Sequence, residues 1–405
     1  FLIAVSLLFL TSAGISMLIS RKAKPLSGLH GTAKWASKKE IIHTDLIDNK
    51  GVFIGGWYDN KKNKMHYLRH NGPENVLAFA PPRSGKGVGL VIPTLLTWPG
   101  SVLCYDVKGE NWALSAGWRK HAGNRVFKFD PTDDNTVCFN PLNEIRLATD
   151  FEVGDTQNIA TMLVDIDGKG LKDHWSKTAF SLLTAAILHC CYQQKGEKNQ
   201  ATLADVGELI ANPSMDTTQV LEYMRTYHHD GSNPHAYVAQ EASALLNMSD
   251  RELSSVVSTA VSFLTIYRDP LVARATCRSD FRIKDLMHFE DPVSLYLVVS
   301  PSEAERLRPV IRLIITQILR RLTTKMHFED GQTKRDYQHR LLLLLDEFPT
   351  LKRLPVIEEG LAFMPGYGIK TYLIVQDIQQ IIANYGREES ITGPCHVRIA
   401  FAPNK

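Results

Sequence analysis

The sequence predicts an α/β fold built on a doubly wound, mostly parallel sheet. Two observations predict it: seven short, almost continuously apolar runs that end in polar residues, and stretches of helical spacing between them. Such runs are typical of strands covered on both faces, as in parallel sheets flanked by helices. The runs are NVLAFA, SVLCYDV, VFKFD, VSLYLVVS, LLLLLDEF, TYLIVQD and HVRIAF.

Length and composition limit the class of protein. The 405 residues suffice for about two or three domains, and 44% hydrophobic with 22% charged residues excludes a largely disordered chain. A formal net charge of +3 is too small to indicate a nucleic-acid or membrane partner by itself. The six cysteines form no C-x-x-C pair, which predicts free thiols, several of them buried.

The N-terminal segment predicts a membrane anchor. Residues 1–19 carry no charge and are long enough to cross a bilayer, so we predict a transmembrane helix over residues 1–20. Arg21, Lys22 and Lys24 follow at once, and positive residues mark the cytoplasmic flank of a span. The bulk of the chain is therefore expected in the cytoplasm. A buried core helix is the weaker alternative, because the segment has no polar face.

A phosphate-binding loop is the strongest motif. Residues 75–96, NVLAFAPPRSGKGVGLVIPTLL, supply a strand, a glycine-containing loop and a helix. In such a loop, backbone N–H groups at a helix N-terminus surround the phosphates and one lysine adds charge. Ala80 replaces the first glycine of the usual motif, and Gly87 replaces the Ser or Thr that binds magnesium. The predicted nucleotide contacts are Arg83, Ser84, Gly85, Lys86, Gly87 and Val88.

The run LLLLLDEF supports this interpretation over a merely structural glycine-rich turn. Five leucines predict a buried strand, and an apolar strand ending in Asp-Glu is the expected partner of a phosphate-binding loop. We predict that Asp346 orients the hydration shell of Mg²⁺ and that Glu347 polarises the attacking water. The expected cofactors are ATP and Mg²⁺, and the expected activity is ATP hydrolysis.

Three further polar positions are less decisive. Gln376 ends TYLIVQD, where RecA-like ATPases place an amide that contacts the γ-phosphate or the attacking water; an ordinary buried amide is the alternative. Asp106 ends SVLCYDV and either caps a helix or faces the nucleotide cleft. The segment YHHDGSNPH, residues 227–235, is interpreted as a polar inter-helix loop rather than a metal site, because no second cluster supports it.

One long interruption of the strand pattern indicates a second domain. Residues 151–281 contain no convincing strand-like run, whereas several stretches carry helical spacing and capping residues. We predict an all-α domain inserted between the two parts of the nucleotide-binding domain, residues 71–150 and 282–405. The second part is expected to stop before the last strand. Residues 21–70 are predicted to form a cytoplasmic connector with a hairpin that turns at residues 60–64.

The whole pattern resembles the coupling proteins of type IV secretion systems, the TraG-like conjugation ATPases. The segments that carry the resemblance are LHGTAKWA, APPRSGKGVGLVIPTLL, YDVKGE, FDP with FNPL, DHW, LLLDEFP and IVQD. That family accepts a glycine after the loop lysine, so Gly87 is compatible with a working ATP site. The resemblance implies a RecA-like, membrane-anchored homo-hexamer that delivers a relaxase with single-stranded DNA, or effector proteins, to the secretion channel.

Other functions remain open at the level of sequence. A membrane-tethered receptor could bind nucleotide only to shape a docking surface, although Glu347 argues for turnover. An FtsK-like DNA translocase is a further alternative, less compatible with the helical insertion and the short anchor. Some relatives place an arginine before IVQD to act across the subunit interface; this chain has none there, which leaves Arg398 and Lys370 as candidates.

Overall fold

The computed structural model describes residues 34–197, 200–329 and 332–401. The predicted transmembrane helix lies outside this range, and no helix within the described residues is long and apolar enough to cross a membrane. The chain divides into two units, Phe1–Ile47 and Asp48–Lys405. In the first unit, helix α1 (Lys38–His43) begins with a reciprocal cap between Ser37 and Glu40.

The second unit begins with the hairpin that the sequence predicts. Strands β1 (Val52–Asp59) and β2 (Lys64–His70) pair in antiparallel fashion around a turn at residues 60–63. A bulge shifts the register between Phe53 and Gly55. The hairpin is bonded to the rest of the unit at its base, where the Phe53 amide donates to Thr94 Oγ1 at 2.9 Å.

Seven strands form one parallel sheet, and each corresponds to one of the seven apolar runs. In chain order they are β3 (Val76–Phe79), β4 (Ser101–Asp106), β5 (Arg125–Phe129), β6 (Val293–Val298), β9 (Leu341–Leu345), β10 (Ile369–Val375) and β11 (Val397–Ala400). The order across the sheet is β11–β3–β10–β9–β4–β6–β5. A separate hairpin, β7 (His327–Glu329) and β8 (Gln332–Lys334), lies between β6 and β9 in the chain. The predicted α/β class with a parallel sheet is confirmed.

Helices connect the strands. A π-helical turn, Gly87–Val91, follows the phosphate-binding loop and continues into α2 (Ile92–Thr97), while α3 (Glu110–His121) follows β4. The later helices of the α/β part are α11 (Asp285–His288), α12 (Arg308–Leu322), α13 (Pro355–Gly360) and α14 (Ile378–Tyr385). The described residues between 151 and 281 form helices and no strand.

The helical segment packs against the sheet rather than standing apart from it. Its α-helices are α4 (Glu152–Val164), α5 (His174–Gln193), α6 (Leu203–Ile210), α7 (Thr217–Thr226), α8 (Ala236–Leu246), α9 (Asp250–Leu264) and α10 (Pro270–Ala275). Their buried side chains share one hydrophobic cluster with α12 and one face of the sheet. Whether this segment folds as an independent domain therefore stays a prediction.

Strand β9 shows why the sheet needs helices on both faces. All five of its leucines are fully buried. Leu341, Leu343 and Leu345 belong to the cluster shared with the helical segment, whereas Leu342 and Leu344 pack in the cluster that contains residues of α2 and the π-helical turn. Alternation along one strand thus fills two separate cores, as a doubly wound sheet requires.

The buried Arg119 of α3 fixes the connection from α2 to β4. Its guanidinium donates to the carbonyls of Leu95, Trp98 and Gly100 at 2.7 to 3.0 Å, and its Nε donates to Ser294 Oγ at 2.5 Å. Burial lowers the pKa of Arg119 to about 10, so the side chain stays charged at neutral pH. These carbonyls would otherwise be buried at a helix end without partners.

The segment 227–235 lies between two helices, as predicted, and two of its histidines, His229 and His235, belong to a network of hydrogen bonds that includes buried groups. His229 is 5% exposed and its Nε2 lies 3.0 Å from His189 Nδ1 on α5. The His235 amide donates to His229 Nδ1 at 3.0 Å, and His235 Nε2 lies 3.0 Å from Glu152 Oε1. Because His229 Nδ1 accepts, its Nε2 carries the proton and donates to His189. Burial lowers the pKa of His189 to about 3 and that of His229 to about 4.

The protein should therefore lose stability in mild acid. Because the folded pKa values of His189 and His229 lie below the unfolded value of about 6.5, their contribution is complete above pH 6.5 and is lost as the pH falls towards 4. Each histidine removes up to about 1.4 kcal/mol of unfolding free energy per pH unit in that window. Urea unfolding at about pH 7.5 and 5.5 measures the loss, and His189→Gln, which still accepts from His229 but cannot titrate, should lose less. An equal loss of unfolding free energy in wild type and His189→Gln would show that His189 does not cause the acid sensitivity.

Candidate nucleotide-binding site

The phosphate-binding loop leaves the sheet at Ala80. The Ala80 amide donates to the Val375 carbonyl at 2.8 Å, which extends the pairing of β3 with β10 by one residue. Ala80 is fully buried, and it is absent from the residues with positive φ. Alanine can therefore replace the first glycine of the usual motif without backbone strain.

The loop then turns through two residues in the left-handed region. Arg83 has φ 61° and Gly85 has φ 85°, and the Gly89 amide donates to the Gly85 carbonyl at 2.9 Å as the helix begins. The first N–H groups of a helix have no partner within it, so they are available to an anion in front of the loop. Ser84 Oγ is buried and has no hydrogen-bond partner in the described structure. An anionic ligand in this loop fits both observations.

The sheet brings the predicted carboxylates to this loop. Asp346 and Glu347 follow β9, and Lys86 Nζ lies 2.9 Å from Asp346 Oδ1 and also contacts Glu347 Oε1. Gln376, which follows β10, donates through Nε2 to Glu347 Oε2 at 3.3 Å. The carboxyl ends of parallel neighbours meet at one edge of the sheet, so residues far apart in the chain become one cluster.

The charge on Lys86 is secured by its neighbours. Burial lowers the pKa of Lys86, but Asp346 and Glu347 outweigh it, so the pKa is raised above its usual value. The lysine is therefore positively charged throughout the physiological range. A bound triphosphate would compete with the two carboxylates for the same ammonium group.

Glu347 is held in a strained backbone conformation. Its φ of 59° and ψ of 44° lie in the left-handed region, which costs a non-glycine residue about 1 to 2 kcal/mol. Both the Thr350 amide and Thr350 Oγ1 donate to the Glu347 carbonyl, at 3.0 and 2.8 Å. Strain of this kind persists only where surrounding contacts enforce it and is concentrated at functional sites.

A cavity of about 230 Å³ lies beside the loop. All six predicted nucleotide-binding residues line it, from Arg83 to Val88, together with Asp346 and Glu347. Gln376 takes part through its bond to Glu347. The residues that the sequence singled out for phosphate, magnesium and water are thus brought together in one place.

Asp106 fulfils both roles that the sequence left open. Its carboxylate accepts from the backbone amides of Gly109 and Trp112, each at 2.9 Å, and so caps the start of α3. It also lines the cavity. Burial raises the pKa of Asp106, while the bonds from the backbone amides oppose that shift.

Asn111 was missed by the sequence analysis. This residue, 4% exposed in the first turn of α3, donates through Nδ2 to Asp346 Oδ2 at 3.3 Å. It therefore helps to orient the carboxylate that is predicted to serve magnesium. Its position in the sequence could have indicated this role, because Asn111 directly follows the segment YDVKGE. That segment leads from β4, a neighbour of β9, into α3.

The two candidates for an interface cation have different surroundings. Lys370 is fully buried near the start of β10, where its Nζ donates to the carbonyls of Gly72 and Glu74 at 2.9 and 2.8 Å, and burial lowers its pKa to about 7. Arg398 is exposed on β11 and donates to the carbonyls of Cys395 and Thr392 in the preceding loop. Burial removes Lys370 from an interface role, whereas such a role for Arg398 stays a prediction.

The residues present fit a magnesium ion held mainly through water. Asp346 supplies a carboxylate and Ser84 a hydroxyl, and oxygen atoms of this kind are the ligands that Mg²⁺ prefers. Gly87 contributes no oxygen, and a Cβ built at this position would meet no heavy atom within 4 Å. The backbone therefore leaves room for the hydroxyl that the usual motif carries there.

Comparison with known proteins agrees with this geometry. A family model described as "Type IV secretory system Conjugative DNA transfer" matches residues 28–405. The chain belongs to this family. Conjugal transfer protein TraG of Escherichia coli is 49% identical over 418 residues, which cover 98% of the chain and 66% of TraG. Protein VirD4 of Rhizobium rhizogenes is 32% identical over 398 residues, covering 95% of the chain and 54% of VirD4.

The resemblance to type IV coupling proteins is therefore confirmed, and the chain spans between half and two thirds of the length of these relatives. Among solved structures, the plasmid coupling protein TrwB in complex with a non-hydrolysable ATP analogue shares the fold. Its TM-score is 0.58 at 17% identity, over 81% of this chain and 70% of TrwB. The structure of TrwB in complex with ADP and Mg²⁺ has a TM-score of 0.55 at 17% identity. This alignment covers 80% of this chain and 70% of TrwB. This coupling-protein fold is the predicted RecA-like α/β architecture.

Lys86→Ala should abolish ATP binding and hydrolysis while leaving the fold intact, because it removes the lysine of the phosphate-binding loop, which lines the cavity, and no core side chain. A loss of at least about 100-fold in turnover is expected by analogy with other charge-stabilising groups. Lys120→Ala, at an exposed position of α3, is the matched control and should hydrolyse ATP like the wild type. Unchanged turnover in Lys86→Ala would refute the site.

Gly87→Ser should fold normally and lower the Mg²⁺ concentration that half-maximal hydrolysis requires. The new hydroxyl would occupy open space at the position of the usual magnesium ligand. Gly89→Ser also enters open space, but one half-turn further from the loop, and serves as the control. The measurement is ATP turnover as a function of Mg²⁺ concentration. The same Mg²⁺ dependence in both variants would show that position 87 does not face the ion.

Proposed function

We propose that this chain is the ATP-hydrolysing part of a type IV secretion coupling protein. The observation that carries the proposal is the convergence of Lys86, Asp346 and Glu347 on one cavity, with Gln376 bonded to Glu347. A nucleotide-binding loop explains the lysine, and a carboxylate beside it favours turnover, because it can accept a proton from water. ATP and Mg²⁺ are the proposed cofactors.

Each residue has a distinct task in this mechanism. The loop amides and Lys86 bind the phosphates, and Asp346, oriented by Asn111, holds the hydration shell of the metal ion. Mg²⁺, when bound, supplies neutralisation of the phosphate charge. Glu347 takes the proton from the attacking water, and Gln376 keeps its second carboxylate oxygen in place.

Contact between Lys86 and Glu347 suggests how turnover is timed. The Lys86 ammonium group occupies Glu347 Oε1, so this oxygen is not free to bind a water molecule. Phosphate groups in the loop would draw Lys86 away and leave Glu347 free to accept a proton. Hydrolysis would then begin only after the triphosphate is seated.

The proposed cargo and setting follow from the family rather than from the site. We infer that the protein passes a relaxase with single-stranded DNA, or effector proteins, to a type IV secretion channel. We further infer a homo-hexamer anchored in the bacterial inner membrane by residues 1–20. Family membership over residues 28–405 supports the transfer role, and the uncharged segment before Arg21 supports the anchor.

Glu347→Gln should retain ATP but fail to hydrolyse it, because glutamine keeps the size of the side chain and loses the charge. A motor would then lose DNA transfer altogether, and the variant expressed beside wild type should reduce transfer by mixing into rings. A receptor that uses ATP only to shape a docking surface would still support transfer. The measurement is transfer frequency with Glu347→Gln alone and alongside wild type.

Glu388→Gln, at an exposed loop position, is the matched control and should transfer at the wild-type frequency. Nucleotide retention in purified Glu347→Gln verifies that the variant is folded and loaded. Wild-type transfer frequency in both backgrounds, with ATP still bound, would establish the receptor and refute the motor.

A further inference from the structure

One face of the β1–β2 hairpin is unusually rich in exposed aromatic and apolar side chains. Cross-strand pairing places Gly56 opposite Tyr67 and Tyr58 opposite Met65 on this face. The exposed fraction is 65% for Tyr67, 49% for Met65 and 46% for Tyr58. We name these four residues, with Phe53 beside them, the aromatic face.

The rings of the aromatic face are presented by the strand pairing. Tyr67 stands opposite a glycine, so no cross-strand side chain covers it from Gly56. Its ring centroid lies 5.9 Å from that of Phe53, in an edge-to-face arrangement. The Tyr58 hydroxyl donates to the Asn63 side chain, which fixes the second ring against the turn. These two contacts orient the rings of the aromatic face.

Positive charge borders the aromatic face. The turn and the start of β2 carry three exposed lysines, Lys61, Lys62 and Lys64. The acidic residue of the turn, Asp59, is only 3% exposed, and its carboxylate accepts from the Lys61 amide at 3.1 Å. Lys61 and Lys62, in the turn, are exposed at the end of the aromatic face, whereas Lys64 pairs with Asp59 on the opposite face of the hairpin.

We propose that the aromatic face and its lysines bind single-stranded nucleic acid. Bases stack on exposed aromatic rings whatever their sequence, and lysines beside the rings attract the phosphate backbone. The proposal rests on the proposed function, in which a single strand travels with the cargo. It adds a contact site on this chain that is separate from the nucleotide-binding loop.

The distribution of side chains argues against a membrane surface as the occupant. A hairpin that enters a bilayer presents apolar residues at its tip, with lysines behind them at the headgroups. Here the tip is DNKKNK, residues 59–64, and the rings lie on the flat of the hairpin behind it. A strand of nucleotides that follows the flat face and passes the lysines matches this arrangement.

The base of the hairpin is bonded to the nucleotide-binding part. Phe53 donates to Thr94 Oγ1 of α2 and accepts from the Tyr372 hydroxyl of β10, each at 2.9 Å. Arg69 donates to Thr97 Oγ1 at 2.8 Å. Helix α2 continues the turn that follows the phosphate-binding loop, and β10 ends at Gln376. These bonds hold the aromatic face in a fixed position on the nucleotide-binding part.

The test is fluorescence anisotropy of a labelled thymidine 20-mer with the full chain, in the absence of nucleotide. Tyr67→Ala combined with Tyr58→Ala should weaken binding at least about tenfold, since stacking on aromatic rings dominates such contacts. Tyr67→Phe keeps the ring and should bind within about twofold of wild type. Unfolding midpoints of all variants verify that the hairpin is intact.

The lysines are tested through salt dependence. Replacing Lys61 and Lys62 with glutamine should reduce the slope of log affinity against log salt by about 1.4, because each phosphate contact on a single strand contributes about 0.7. Replacing both with arginine keeps the charge and should keep the slope, and Lys64→Gln, on the opposite face, is the matched control. An unchanged slope in the double glutamine variant would overturn the assignment of the lysines.

Three outcomes would overturn the proposal. They are a wild-type chain that binds no oligonucleotide, a double tyrosine variant that binds as wild type, and tyrosine substitutions that alter only self-association or binding to anionic vesicles. Lys86→Ala separates this proposal from the proposed function: it should bind the oligonucleotide normally, because the assay contains no nucleotide. Loss of turnover without loss of binding supports both sites, and retention of turnover in Lys86→Ala refutes the ATP site alone.

Discussion

Complete burial of β9 is the constraint on which the rest of the structure depends. Five consecutive leucines can be removed from water only if both faces of their strand are covered and both edges are paired. The strand consequently lies between β10 and β4, with helices on each side. Because the strands are parallel, Asp346 and Glu347 at the carboxyl end of β9 lie beside the carboxyl ends of β10 and β4.

The candidate site combines favourable charge contacts with stored strain. Lys86 between two carboxylates is only about a fifth exposed, so its interactions are stronger than those of a surface ion pair. Glu347 adopts a left-handed backbone that Thr350 stabilises. Such a cluster gains little for folding beyond what an apolar contact would give, which favours a role in chemistry.

The region between the site and the hairpin provides a physical connection. The loop is followed by a π-helical turn, Gly87–Val91, and turns of this kind occur preferentially at functional sites. From there α2 leads to Thr94 and Thr97, which hold the hairpin base. Arg119 fixes the far end of the same helix to the sheet. The loop and the base of the hairpin are thus joined by a short path of covalent bonds and hydrogen bonds.

The sequence by itself determined the seven strands, the phosphate-binding loop and the Asp346–Glu347 pair. Buried parallel strands are read as continuous apolar runs, and each motif is contiguous in the chain. Only the tertiary structure decided the strand order, the burial of His229 and Lys370, the contact of Asn111 with Asp346, and the left-handed backbone of Glu347. These depend on contacts between residues far apart in sequence, and local spacing carries no information about which distant neighbour will be met.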